Sequence, residues 1–297
     1  MFRRVGLFLL MNFAVMIIVS ILASIFGLGH GQGGYAGLFG FCFLYGMVGA
    51  FISLQLTRWQ AKKFMGVRLL AENSQNTTER WLVERVHAMA KEAGITTMPE
   101  VGIYDSPEAN AFATGPSKNR SLIAVSSGLL HRMNRDQVEG VLAHEVAHAA
   151  NGDMVTMALL QGVVNAVVMF LARVIALAIN NAMRSRSNDG GGLGGITYFL
   201  VVMLLQSVLM IPGMMVIAAF SRWREFNADK GGAALAGKDK MRGALEALKR
   251  AVDIQDPVVA KVQNSVAAMK ISSPGGRSWR MMFSTHPPLD ERIRRLS

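Results

Sequence analysis

Residues 141–153 read VLAHEVAHAANGD, and at their centre stand His144-Glu145-Val146-Ala147-His148. On a helix, residues four apart share a face, so the imidazoles of His144 and His148 can meet on one metal ion. Glu145 lies beside them, where it reaches an attacking water without chelating. This is the HExxH arrangement, in which two imidazoles hold zinc and a carboxylate serves as general base. Asn134 followed by Gln137 reads as a capping box that opens the helix, and Gly152 marks its end. Asp153, just past that end, reads either as an outer support of a metal ligand or as a residue of the helix C-terminus.

Long apolar runs flank this stretch. Hydrophobic residues make up 51% of the 297 positions, and much of that apolar content falls in four segments. Residues 5–26 and 35–56 carry no charge and have the ~20 residues that cross a bilayer. Residues 155–179 contain Arg173, and residues 196–220 contain Pro212 and Gly213. A basic start before the first run also fits a signal peptide, but the run is long for one and lacks a clear small-residue cleavage site. Arg58, Lys62, Lys63 and Arg68 follow the second run, so the positive-inside rule puts the segment after it in the cytoplasm. The third and fourth runs either cross the membrane or form a re-entrant hairpin. Either way, the side bearing residues 144–148 is cytoplasmic.

The charge of +11 raises the question of nucleic acid. No run of five Lys or Arg and no basic-aromatic stripe is present, so a membrane surface accounts for the charge better and no nucleic-acid partner is expected. Cys42 is the single cysteine. An intrachain disulfide and a thiolate metal site are both excluded, which leaves His and carboxylate as ligands.

The expected organisation is two membrane helices in 1–57, a catalytic part in 58–153, two further membrane helices in 154–220, and a second catalytic part in 221–297. Within the polar parts, the segment from Thr77 to Gly94 reads as an amphipathic helix. Residues 101–104, 110–114 and 121–125 are short β-leaning runs that suggest a small antiparallel sheet. Residues 240–252 and 257–269 look helical, 271–285 reads as a loop, and Pro287 and Pro288 open a final basic helix. The fold class is therefore α+β, with membrane helices.

A catalytic zinc takes three protein ligands. The pattern with a third histidine shortly after the first pair needs Gly at 151 and His at 154, where this chain has Asn151 and Met154. The best candidate lies in Arg224-Glu225-Phe226-Asn227-Ala228-Asp229, because Glu225 and Asp229 again stand four apart. Glu225 would ligate, and Asp229 would accept a hydrogen bond from a ligand imidazole and fix its tautomer. The alternative is an acidic juxtamembrane face paired with Arg222 and Arg224. His148 precedes the third run by seven residues, roughly 10 Å of helix, and Glu225 follows the fourth by five. Neighbouring spans would thus bring all three ligands to one point.

HEVAH, REFNAD at 224–229, NAFATG at 110–115 and THPPLDERI at 285–293 occur in that order and together resemble the HtpX family of integral membrane zinc metalloproteases. These are bacterial inner-membrane gluzincins related to the CAAX prenyl endopeptidases. The resemblance implies one zinc ion per chain and a catalytic domain facing the cytoplasm. It also implies unfolded polypeptides or damaged membrane proteins as substrates, cleared under stress. It suggests His286 as an electrophilic group at the oxyanion, Arg292 as its orienting partner or a substrate contact, and Asn110, Ala111, Phe112, Ala113 and Thr114 as an edge strand that pairs with substrate.

Three rival functions are weaker. A structural zinc staple has no use for Glu145. A transporter built around Arg173 and the Pro212-Gly213 step would need more polar groups in its spans. A CAAX-type processing enzyme would need a chamber that four spans are too few to build.

Overall fold

The computed structural model describes residues 34–186, 191–251 and 282–296. The apolar run at 5–26 and the helix expected at 257–269 lie outside the described residues. In chain order the elements are α1 (Gly34–Phe64), β1 (Arg68–Leu69), α2 (Thr77–Glu92), β2 (Glu100–Tyr104), β3 (Ala111–Ser117), β4 (Arg120–Ser126) and α3 (Ser127–Arg132). They continue with α4 (Arg135–Asn151), α5 (Asp153–Arg186), α6 (Gly195–Ala236), α7 (238–251) and α8 (Leu289–Leu296).

Three of these helices, α1, α5 and α6, are long and apolar enough to cross a membrane. The expectation of four spans is therefore met by three among the described residues. The third and fourth runs belong to longer helices than their apolar limits suggested. In particular, α6 runs for 42 residues and passes through Pro212 without a break. Apolar surroundings favour this, because unwinding would expose several backbone groups where proline removes only one hydrogen bond. REFNAD is thus the continuation of the apolar run and not a separate helix.

The described residues form two compact units, one from 34–53 and 158–216, the other from 54–157 and 217–296. In the first, α1 and α5 approach closely at a glycine pair: a Cβ on Gly46 would lie 2.4 Å from the Gly162 carbonyl oxygen. Phe39 meets Phe170 edge-on at 5.4 Å beside this contact. Phe51, Ile52, Leu200 and Leu204 are exposed apolar side chains, as a lipid-facing surface requires. Arg173 turns its guanidinium back to donate to the Met169 carbonyl at 3.3 Å.

The second unit carries a four-stranded sheet in the order β1-β2-β4-β3. It is mixed, which corrects the antiparallel expectation: β2 runs parallel to β4, while β1·β2 and β3·β4 are antiparallel. The reason is burial. Six of the seven residues of β4 are buried, so it takes a central place with both faces covered, and β3 is left at the edge. On one face, Val101, Ile123 and Val125 pack with Leu82, Val86, Leu142 and Val146 from α2 and α4. On the other, Tyr104, Leu122 and Ala124 pack with Ala61 and Val67.

Local signals set the helix ends. The Asn76 side chain caps α2 by accepting from the Thr78 and Glu79 amides, so the N-cap falls one residue before the expected start. The capping box of Asn134 and Gln137 opens α4. Glu139 on α4 accepts from Arg85 on α2 and, at 2.9 Å, from Lys240 on α7, tying three helices together. Burial raises the Glu139 pKa, but these two cations more than offset it and hold the carboxyl below its usual range.

Stability from this group is therefore present above the unfolded glutamate pKa of ~4.3 and is lost as pH falls through the lower folded value. Glu139→Gln should destabilise by about 1–2 kcal/mol at neutral pH, since Arg85 and Lys240 both keep access to water. Melting curves in detergent from pH 7 to pH 3 should show the difference from wild type closing in acid. A gap that stays constant would remove the linkage.

Candidate metal centre

Two helices build the centre, and both have reasons in sequence to approach. α4 is lined by small residues where α6 crosses it. A Cβ on Gly231 would lie 2.8 Å from the Ala147 Cβ, and one on Gly232 would lie 3.0 Å from the His144 amide nitrogen. Only glycine allows this separation. The close crossing brings Asp229, within one turn before it on α6, and Glu225, nearly two turns before it, against the histidine face of α4.

His144, His148 and Glu225 each offer one ligand atom, and these atoms all lie within 4.8 Å of one another. His144 Nε2 and His148 Nε2 face each other at 3.1 Å, and Glu225 Oε1 lies 3.3 Å from the latter. All three residues are buried, Glu225 to 1% exposure. Two imidazoles and a carboxylate, with both Nε2 atoms turned to one point, form a donor set that suits zinc. Glu145 is buried beside them, and its charge acts on both His148 and Arg292.

The outer contacts are as ordered as the inner ones. Asp229 Oδ1 lies 3.1 Å from His144 Nδ1. Arg292 donates to Asp229 through Nε at 2.8 Å and Nη2 at 2.6 Å, and its Nη1 lies 3.5 Å from Glu225. His148 Nδ1 donates to Asp153 Oδ2 at 2.5 Å. His286 Nδ1 donates to Glu225 Oε2 at 2.9 Å while most of its ring stays exposed. Arg222 holds the His286 loop by donating to the Ser284 carbonyl at 2.8 Å.

Charge follows this geometry. Burial lowers the His148 pKa, but Asp153 and Glu225 together outweigh it and push the ring up to about 9. Burial raises Glu225, yet His144, His148 and His286 hold it far below the carboxylate range. Asp229 is likewise lowered, by Arg292 and His144 against burial. A metal ion and a proton compete for the same nitrogen in such a site.

The residues singled out from sequence are distributed unevenly. His144, Glu145, His148, Glu225, Asp229, His286 and Arg292 converge. Arg292 is buried, with its guanidinium engaged by Asp229 beside the candidate ligands. Ala111, Phe112, Ala113 and Thr114 lie in β3, at the edge of the sheet. Asn110 sits just before the strand, its carbonyl accepting from the Ser126 amide at 2.9 Å. Asp153, for which an outer support of a ligand and a helix-end residue were both open, lies against the His148 ring.

The model of peptidase family M48 matches residues 76–297. The chain belongs to peptidase family M48. Its members are metallopeptidases, and this chain is a metalloprotease with helices suited to a membrane. A "Protease HtpX" of Shewanella piezotolerans is 50% identical over 291 residues, covering 98% of both chains. A "Protease HtpX homolog" of Bacillus licheniformis is 49% identical over 305 residues, covering 99% of this chain and 98% of its own. The resemblance carried by HEVAH, REFNAD and THPPLDERI thus agrees with full-length M48 relatives. The crystal structure of S. mikatae Ste24p shares the fold, with a TM-score of 0.57 at 20% identity. It matches 96% of this chain, which spans 66% of the Ste24p chain.

Proposed function

We propose that this M48 protein is a zinc-dependent endopeptidase of the bacterial inner membrane, with its catalytic face toward the cytoplasm and unfolded or damaged membrane proteins as substrates. The observation that carries the reading is the convergence of His144, His148 and Glu225 around one point with Glu145 buried beside it. Bound there, zinc would polarise the scissile carbonyl and make water a better nucleophile. The chain's own groups do the rest. Glu145 accepts a proton from the attacking water and returns it to the leaving amine. His286, exposed at the rim, donates to the developing oxyanion. The edge of β3, whose one strand neighbour among the described residues is β4, pairs with an extended polypeptide, which suits a substrate recognised by backbone and not by sequence.

Substrates that have lost their fold fit an edge-strand reader, because their backbone amides are unpaired. The proposed organisation remains membrane helices in 1–57 and 154–220, with catalytic parts in 58–153 and 221–297. Cleavage of an unfolded model polypeptide by detergent-purified protein, with and without zinc, tests the activity directly.

Orientation has its own test. Arg58, Lys62 and Lys63 at the end of α1 support a cytoplasmic position for that end by the positive-inside rule. A tag fused after Ser297 should be digested by added protease in inverted membrane vesicles and protected in intact spheroplasts. The reverse pattern would put the centre on the outer side.

A further inference from the structure

We propose that Asp153 is a positioning residue of the metal centre, holding His148 so that its Nε2 lone pair faces the metal position. The inference rests on the zinc reading above and extends it to a residue that the HExxH pattern does not include. His148 Nδ1 meets Asp153 Oδ2 at 2.5 Å, and both residues are more than nine-tenths buried. An ionised carboxylate only accepts hydrogen bonds, so the neutral ring must carry its proton on Nδ1. That leaves Nε2 as the lone-pair atom, and it is Nε2 that faces His144 Nε2 at 3.1 Å and Glu225 Oε1 at 3.3 Å.

The backbone is shaped to make this contact. Gly152 ends α4 in the left-handed region, at φ 69° and ψ 27°, and its amide closes onto the His148 and Ala149 carbonyls. The chain then restarts as a helix at Asp153, the first residue of α5. That single left-handed step lets a carboxylate five residues beyond His148 fold back onto its ring. A side chain at 152 would meet no atom within 4 Å, so the demand for glycine comes from the backbone angle alone.

The two ligand imidazoles are supported differently. His144 has Asp229, whose carboxylate is shared with Arg292 through two hydrogen bonds. Among the described residues Asp153 has no Arg or Lys partner, and its carboxylate meets the His148 ring. It also places His148 under the control of the first residue of a membrane-suited helix, which makes the contact a link between ligand orientation and α5.

The test compares full-length wild type, Asp153→Asn and Asp153→Ser in detergent. Zinc affinity is measured by competition with a chromophoric chelator, cobalt(II) spectra report ligand geometry, and melting of the metal-free protein reports folding. For Asp153→Asn the expected result is a 10–100-fold loss of zinc affinity and altered cobalt bands, with metal-free melting unchanged. Asp153→Ser, whose hydroxyl is one atom too short to reach Nδ1, should lose at least as much affinity as Asp153→Asn, whose amide oxygen can still accept from Nδ1–H.

Affinity and spectra matching wild type in both variants would overturn the positioning role and leave the zinc reading intact. So would losses that track a drop in metal-free melting, since they would make Asp153 a folding residue. Failure of the wild type itself to bind zinc would instead sink the zinc reading.

Discussion

Glu145→Gln should lower the rate of peptide-bond cleavage by about 10²–10⁴-fold, the range for loss of a positioned general base, while zinc binding and melting stay at wild-type values. The substitution keeps volume and shape, so the packing of α4 is undisturbed. What it removes is a group able to accept a proton from water. Glu145 is buried beside His148 and Arg292, so bulk water has little access to take over that role. Turnover of an unfolded model substrate, run beside metal analysis of the same preparations, gives both quantities. Wild-type turnover in the variant would mean that another group is the base. A loss of zinc alongside activity would recast Glu145 as part of the metal's support.

Glu225→Ala is expected to abolish metal binding, an effect beyond the 10–100-fold that loss of an outer partner costs. Glu225 supplies the one carboxylate among the three candidate ligands. It is also the negative group to which Arg224 and His286 turn, at 3.2 and 2.9 Å. Removing it leaves Arg224, and the buried Arg292 whose Nη1 lies 3.5 Å away, without this counter-charge, so some destabilisation of the metal-free protein should accompany the loss, up to the roughly 3–5 kcal/mol of a broken buried pair. Glu225→Gln separates the two effects, because an amide still accepts hydrogen bonds but binds zinc poorly. Titration with a chelator competitor and a melting curve on each variant decide it. Retention of one tightly held zinc in both would show that the third ligand lies elsewhere.

These two residues also show how far sequence reaches. Glu145 was legible because its information is local: two histidines four apart and a carboxylate between them define a helix face without any knowledge of the fold. Glu225 was legible as the best candidate and no more, since an acidic face paired with Arg222 and Arg224 stood beside it as the alternative. What removes that reading is its 1% exposure and its place against α4, both products of the glycine crossing at Gly231 and Gly232.

Arg292 shows the same limit from the other side. Its pairing with Asp229 spans 63 residues, and no spacing rule could have shown it. The sheet was misread as purely antiparallel because short β-leaning runs report that strands exist but not which strand is central. The burial of β4 on both faces was the physical fact that set the order, and it belongs to the packed state.

By itself, then, the sequence determined what lies within a few turns of helix: the HExxH face, the capping box that opens it, the apolar runs of α1, α5 and α6, and the family that its ordered motifs resemble. Those features depend on contacts between near neighbours, whose geometry is set once a helix forms. Tertiary structure alone decided the mixed order of the sheet, the continuity of α6 from apolar run to Glu225, the capture of Arg292 by Asp229, and the return of Asp153 onto His148. The first three depend on how distant segments pack. The last depends on a single left-handed residue whose consequence appears only when the chain is followed in space.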